Sequence, residues 1–98
     1  MTINKAKKSD SFIIEVEGRL ETTTAPELEA VIKSELDGVT ILIMDFSKLD
    51  YISSAGLRVL LAAQKIMNAQ GEMKIVGSND IVLEIFEITG FADILTLE

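Results

Sequence analysis

Residues 41–44, Ile-Leu-Ile-Met, form a short unbroken apolar run, the pattern of a strand buried on both faces of a sheet. A strand of that kind needs helices to cover it, and the sequence on either side supplies them. Upstream, Leu28, Val31, Ile32 and Leu36 recur at helical spacing, and Asp37-Gly38 ends the segment. Thr24 and Glu27 stand at capping-box spacing, with Pro26 in the first turn, where its missing amide costs nothing. Downstream, a second helix starts at Ser53 or Ser54 and runs to about Gln70, with Gly71 as its stop.

The rest of the chain repeats the theme. Phe12, Ile14 and Val16 alternate with Ile13, Glu15 and Glu17, which is strand periodicity. Residues 2–7 alternate more weakly, and Lys8-Ser9-Asp10 makes a turn between the two, giving a hairpin with a lysine-bearing edge strand. Met73, Ile75 and Val76 form a further strand. Ser78-Asn79-Asp80 offers caps for a third helix carrying Ile81, Val82, Ile85, Phe86 and Ile88, which Gly90 ends, and a last short strand is expected around Ile94–Leu97. The order β-β-α-β-α-β-α-β predicts an α/β fold, a mixed four- to five-stranded sheet with right-handed parallel crossovers and helices packed on it. With 98 residues and no linker or repeat, a single domain over residues 1–98 is expected.

Composition then removes function classes. There is no His and no Cys, so a Ser–His–Asp triad, a thiol nucleophile and a typical zinc site are excluded. No phosphate-binding Gly-rich motif is present, which leaves an enzyme little to work with, and no cofactor is implied. Asp45, Asp50 and Glu21 match no metal loop, and Met44, Met67 and Met73 read as core. Nine basic against sixteen acidic residues give a net charge of −7, which repels nucleic acid and favours a cationic protein partner. No apolar stretch is long enough for a membrane span, and the N-terminus lacks the apolar core of a signal peptide, so a cytoplasmic protein without membrane insertion is expected.

Residues 45–61, Asp-Phe-Ser-Lys-Leu-Asp-Tyr-Ile-Ser-Ser-Ala-Gly-Leu-Arg-Val-Leu-Leu, hold the chemistry that remains. A strand ends at Asp45, a short loop follows, and small residues open a helix. An anion at Ser54 would meet free amides and the positive end of the helix dipole. The plainer account is that Ser54 caps the helix and that Ala55 and Gly56 are small for packing. On the helix, Val59, Leu60, Ala63, Ile66 and Met67 share one broad face that should meet the sheet. Leu57 and Leu61 fall on another side, either under a neighbouring helix or as an apolar docking strip beside Ser54.

This segment resembles the signature of the STAS family, in which a strand ending in Asp leads through a loop to Ser-(Ser/Thr/Ala)-Gly-Leu. Gly18-Arg19-Leu20 followed by Thr-Ala-Pro-Glu-Leu resembles the family's approach to its first helix, and Gly71-Glu72-Met73 its approach to a later strand. The resemblance implies the STAS fold and, for free-standing bacterial members, an anti-sigma factor antagonist. Such a protein binds an anti-sigma factor with serine kinase activity, thereby releasing a sigma factor. Phosphorylation of the serine two places before the motif glycine breaks that complex, and a phosphoserine phosphatase resets it. On this chain the serine is Ser54 and the glycine Gly56. The implied partner-binding set is Glu21, Thr22, Ser53, Ser54, Ala55, Gly56, Leu57, Arg58 and Leu61. Ser53 and Glu21 stand where many antagonists carry Asp. The competing expectation is a non-switching STAS adaptor subunit of a lipid-transport ABC complex or a sensory assembly, whose serine need not be modified.

Overall fold

A computed structural model describes all 98 residues. The strands are β1 (Thr2–Lys8), β2 (Ser11–Leu20), β3 (Ile41–Asp45), β4 (Leu49–Ile52) and β5 (Glu72–Val76). The helices are α1 (Ala25–Glu35), α2 (Ser54–Gln70) and α3 (Asp80–Thr89), and a 3-10 turn covers Phe91–Asp93. The sheet runs β1-β2-β3-β5, with β4 pairing to β2. Only the β1–β2 hairpin is antiparallel, so the sheet is mixed and five-stranded, within the range expected from the alternation.

Register explains the core. Phe12, Leu42 and Met73 align across β2, β3 and β5, and Ile14, Met44 and Ile75 form the next row. All six are at most 2% exposed. Removing each from water contributes roughly 1.5–3 kcal/mol, which holds this face against the helices. Leu28 and Ile32 of α1 and Leu60, Ala63 and Met67 of α2 belong to the same cluster. The other face differs from the expectation for residues 41–44. Ile41 and Ile43 are only half-buried, and their neighbour Ile13 is 42% exposed. A run of four apolar residues is equally compatible with a strand covered on one side, and here the second side stays partly open.

Four further departures are local. β2 is longer than residues 12–17 because Gly18, at φ 101°, sits at a register slip that lets the strand continue as far as Leu20. That extension receives β4, a strand expected as loop; four residues, Leu-Asp-Tyr-Ile, are too few to show a period. The capping box of α1 does not form. Thr24 occupies the N-cap without capping, because its Oγ1 accepts from the Glu21 amide (2.9 Å) and donates to the Arg19 carbonyl (2.8 Å). It closes the β2–α1 loop instead. The expected last strand shrinks to one bridge, Ile75 with Leu97, fixed by Ile75 N donating to Thr96 O and Glu98 N to Ile75 O.

Candidate functional site

The site begins with backbone. Asp45 ends β3, and its Oδ1 accepts from the Ser47 amide at 2.9 Å, turning the chain toward β4. β4 then runs parallel to the end of β2, and the Ser53 amide donates to Leu20 O at 2.9 Å. This bond anchors the residue just before α2. Ser53 is extended, at φ −101° and ψ 178°, and takes the N-cap position with no side-chain cap. Its hydroxyl is buried and finds no hydrogen-bond partner.

Helix α2 therefore opens in an unusual electrostatic condition. The first amide with an intrahelical acceptor is that of Leu57, which donates to Ser53 O at 3.0 Å. No side chain caps the amides before it, and no acidic residue stands in the first turn. Ser54 is the exposed residue at this end. Positive dipole and free donors meet there without compensation.

Gly56 sets how close this end lies to the sheet. A Cβ added there would come within 2.8 Å of both Ile52 Cγ1 and Leu20 Cγ. The glycine therefore lets the first turn of α2 rest on the ends of β2 and β4. That supports the packing account of the small residues without displacing the anion account, since Ser54 points outward from the same turn.

Beside Ser54 lies a shallow groove of about 180 Å³, lined by Thr22, Ala25, Pro26 and Glu29 from the α1 side and by Ala55, Arg58 and Val59 from α2. Thr22, Ala55 and Arg58 of the expected set thus come together. Glu21 does not line the groove: Arg19 Nε meets its Oε2 at 3.2 Å, and the Arg19 guanidinium stacks 4.6 Å over the Tyr51 ring. Arg19 and Tyr51 are paired residues of β2 and β4. Neither was expected as a site residue, because their proximity depends on β4.

Two members of the set are buried. Leu57 is 6% exposed and belongs to the core, and Gly56 is buried and has no side chain to offer. Neither can present a docking side chain. Gln64, about two turns along on the same side, is buried as well. Leu61 is half-buried, as is Ser53, while Arg58 is exposed. Of the face expected against the sheet, Val59, Leu60, Ala63 and Met67 are buried and Ile66 is half-buried.

The profile of the STAS domain matches residues 2–98. The chain belongs to the STAS family. BtrV of Bordetella bronchiseptica, named as an anti-sigma factor antagonist, is 40% identical over 90 residues, covering 89% of this chain and 78% of BtrV. The anti-sigma-B factor antagonist of Listeria monocytogenes is 31% identical over 96 residues, covering 96% of this chain and 84% of its own. Among solved structures, an anti-sigma factor antagonist from Mycobacterium paratuberculosis superposes with a TM-score of 0.88 at 23% identity, covering 98% of this chain and 83% of that one. SpoIIAA in its unphosphorylated form gives 0.79 at 16% identity, covering 99% and 87%. These structures establish the STAS fold.

Proposed function

We propose that this STAS chain is an anti-sigma factor antagonist, cytoplasmic and without catalytic activity of its own, acting as a single domain. Its unmodified form binds an anti-sigma factor with serine kinase activity through the surface formed by the β2–α1 loop and the first turns of α2. Phosphorylation of Ser54 ends that binding, and a phosphoserine phosphatase restores it. The observation that carries this reading is the exposed Ser54 at a helix N-terminus with no cap and no acid, next in the chain to Ala55 of the groove. The names of the relatives agree with it, and SpoIIAA has been solved in a phosphorylated form as well.

Magnitudes explain why such a modification would act on the complex and not on the fold. A phosphoserine brings about −1.5 to −2 charges. At a free helix N-terminus they are favourable by roughly 0.3–1 kcal/mol. Inside an interface, one like charge about 4 Å away costs on the order of 4 kcal/mol at an effective dielectric near 20, before the desolvation of the phosphate. Half of that cost weakens binding by more than about tenfold.

The test is enzymatically phosphorylated protein in a calorimetric titration with the purified anti-sigma factor. Binding should fall more than about tenfold, while Ser54→Ala binds constitutively and both melt close to wild type. Equal binding by the phosphorylated and unmodified forms would sink the switch and leave the non-switching adaptor role in its place.

A further inference from the structure

Helix α3 carries a surface that the Ser54 site does not use. Of five exposed large apolar side chains in the molecule, four lie between residues 81 and 94: Ile81 at 58%, Leu83, Ile88 at 76% and Ile94. Val82 and Phe86 are fully buried and fix the orientation of the helix, which packs on β4 and the 3-10 turn. Ile81, Ile85 and Ile88 then fall within about 60° of one another, an i, i+4, i+7 ridge beside the buried face. Asp80, Glu84 and Glu87 share the adjoining strip, again within about 60°.

The charge around the ridge is one-sided. From Ile75 to Glu98 there is no Lys or Arg. Asp80, Glu84, Glu87 and Asp93 join no ion pair, whereas five other acidic residues are paired. An anionic bilayer or a nucleic acid would be repelled here, and a second copy docking through the same ridge would bring like charges together. A straight ridge at this spacing fits the groove of another helix, with flanking charges facing each other as they do beside a coiled-coil seam.

We propose that α3 is a second docking face, independent of the Ser54 switch, which packs against an amphipathic helix of a partner protein whose apolar stripe is flanked by Lys or Arg. Such a face lets the domain hold one protein at α3 while Ser54 governs another.

The test uses the whole chain, isotope-labelled for amide NMR, titrated with a leucine-striped, lysine-flanked synthetic peptide of about 18 residues, long enough to hold a helix. A twin peptide with glutamate in place of lysine is the control. The lysine peptide should bind saturably, shift amides of residues 80–94, and weaken with added salt. Ile88→Ser should reduce that affinity about tenfold or more. Because Ile88 is so exposed, this variant should unfold at the wild-type denaturant concentration. Glu84→Lys with Glu87→Lys should reverse the preference between the two peptides. The proposal is overturned if the glutamate twin binds equally well, if the shifts centre on the first turns of α1 and α2, or if the Ile88→Ser and charge-reversed chains bind like wild type. Concentration-dependent shifts of residues 80–94 in the protein alone would assign the face to a second copy, and binding of anionic vesicles through it would assign it to a bilayer. Either result equally defeats the proposal.

Discussion

The N-termini of α2 and α3 solve the same electrostatic problem in opposite ways. At α3, Asn79 Oδ1 accepts from the Val82 amide at 2.8 Å, its Nδ2 donates to Leu49 O at 3.0 Å, and Asp80 adds a carboxylate in the first turn. At α2, Ser53 occupies the same position, yet its hydroxyl caps nothing and no acid follows. A cap contributes about 1 kcal/mol, so α2 forgoes stability that α3 takes. One terminus is closed by the protein itself, whereas the other leaves its donors to water or to an added group. α1 also starts without a side-chain cap, but it carries Glu27 in its first turn, so α2 alone begins with neither a cap nor an acid.

The sharpest way to break the comparison is to ask what the side of α2 nearest Ser54 is for. Leu57→Ala should destabilise the domain by roughly 2–5 kcal/mol, the range for a buried leucine, measured by urea unfolding. Leu61→Ala, at a half-buried position, should cost clearly less and should weaken binding to the anti-sigma factor. If Leu61→Ala is as damaging to stability as Leu57→Ala, the strip is core throughout and the docking surface is confined to the groove and Ser54.

A smaller effect separates the two caps. Asn79→Ala should cost about 0.5–2 kcal/mol, since it frees the Val82 amide and also leaves Leu49 O without its partner. Ser53→Ala should cost nothing measurable or slightly stabilise, because it removes a buried hydroxyl that has no hydrogen bond. Thermal unfolding of both variants side by side decides it. A loss at Ser53 equal to that at Asn79 would mean that the Ser53 hydroxyl has a partner in solution and that α2 is capped after all.

Much of this was legible in the residues. The bounds of α2 follow from Ser54 and Gly71, and the hairpin from the alternation of residues 12–17. What escaped was set by tertiary pairing. β4 has no period of its own and exists because Gly18 lets β2 run on to receive it. Arg19 over Tyr51 escaped with it, being a cross-strand pair. Thr24 was misread for a different reason: its hydroxyl could cap α1 or close the preceding loop, and spacing to Glu27 does not distinguish them. Leu57 shows the limit of helical-wheel reasoning. Its angle around α2 was clear, but whether that angle faces protein or solvent depends on neighbours far away in sequence. At Ser54 the position was legible and the absence of a cap was not, because Ser53 is among the residue types that usually cap.

The smallest expected effect is the most direct probe of the open terminus. Ser54→Asp places a carboxylate over amides that lack an acceptor, and should stabilise the isolated domain by roughly 0.3–1 kcal/mol at low salt. Asp80→Ser removes the corresponding charge from α3 and should lose a similar amount, while Asn79 still caps. Both effects should shrink together as salt rises, because screening at about 1 M ionic strength reduces the Debye length to about 3 Å. The measurement is the unfolding midpoint of the two variants and wild type at low and high salt. A carboxylate at Ser54 that destabilises the free domain would mean the terminus is not the uncompensated positive end described here. The tolerance expected for a phosphate would then be lost with it. A gain at Ser54 mirrored by a loss at Asp80 would instead show that α2 starts from the deficit that α3 has already filled, and that a negative charge on Ser54 does not act against the fold.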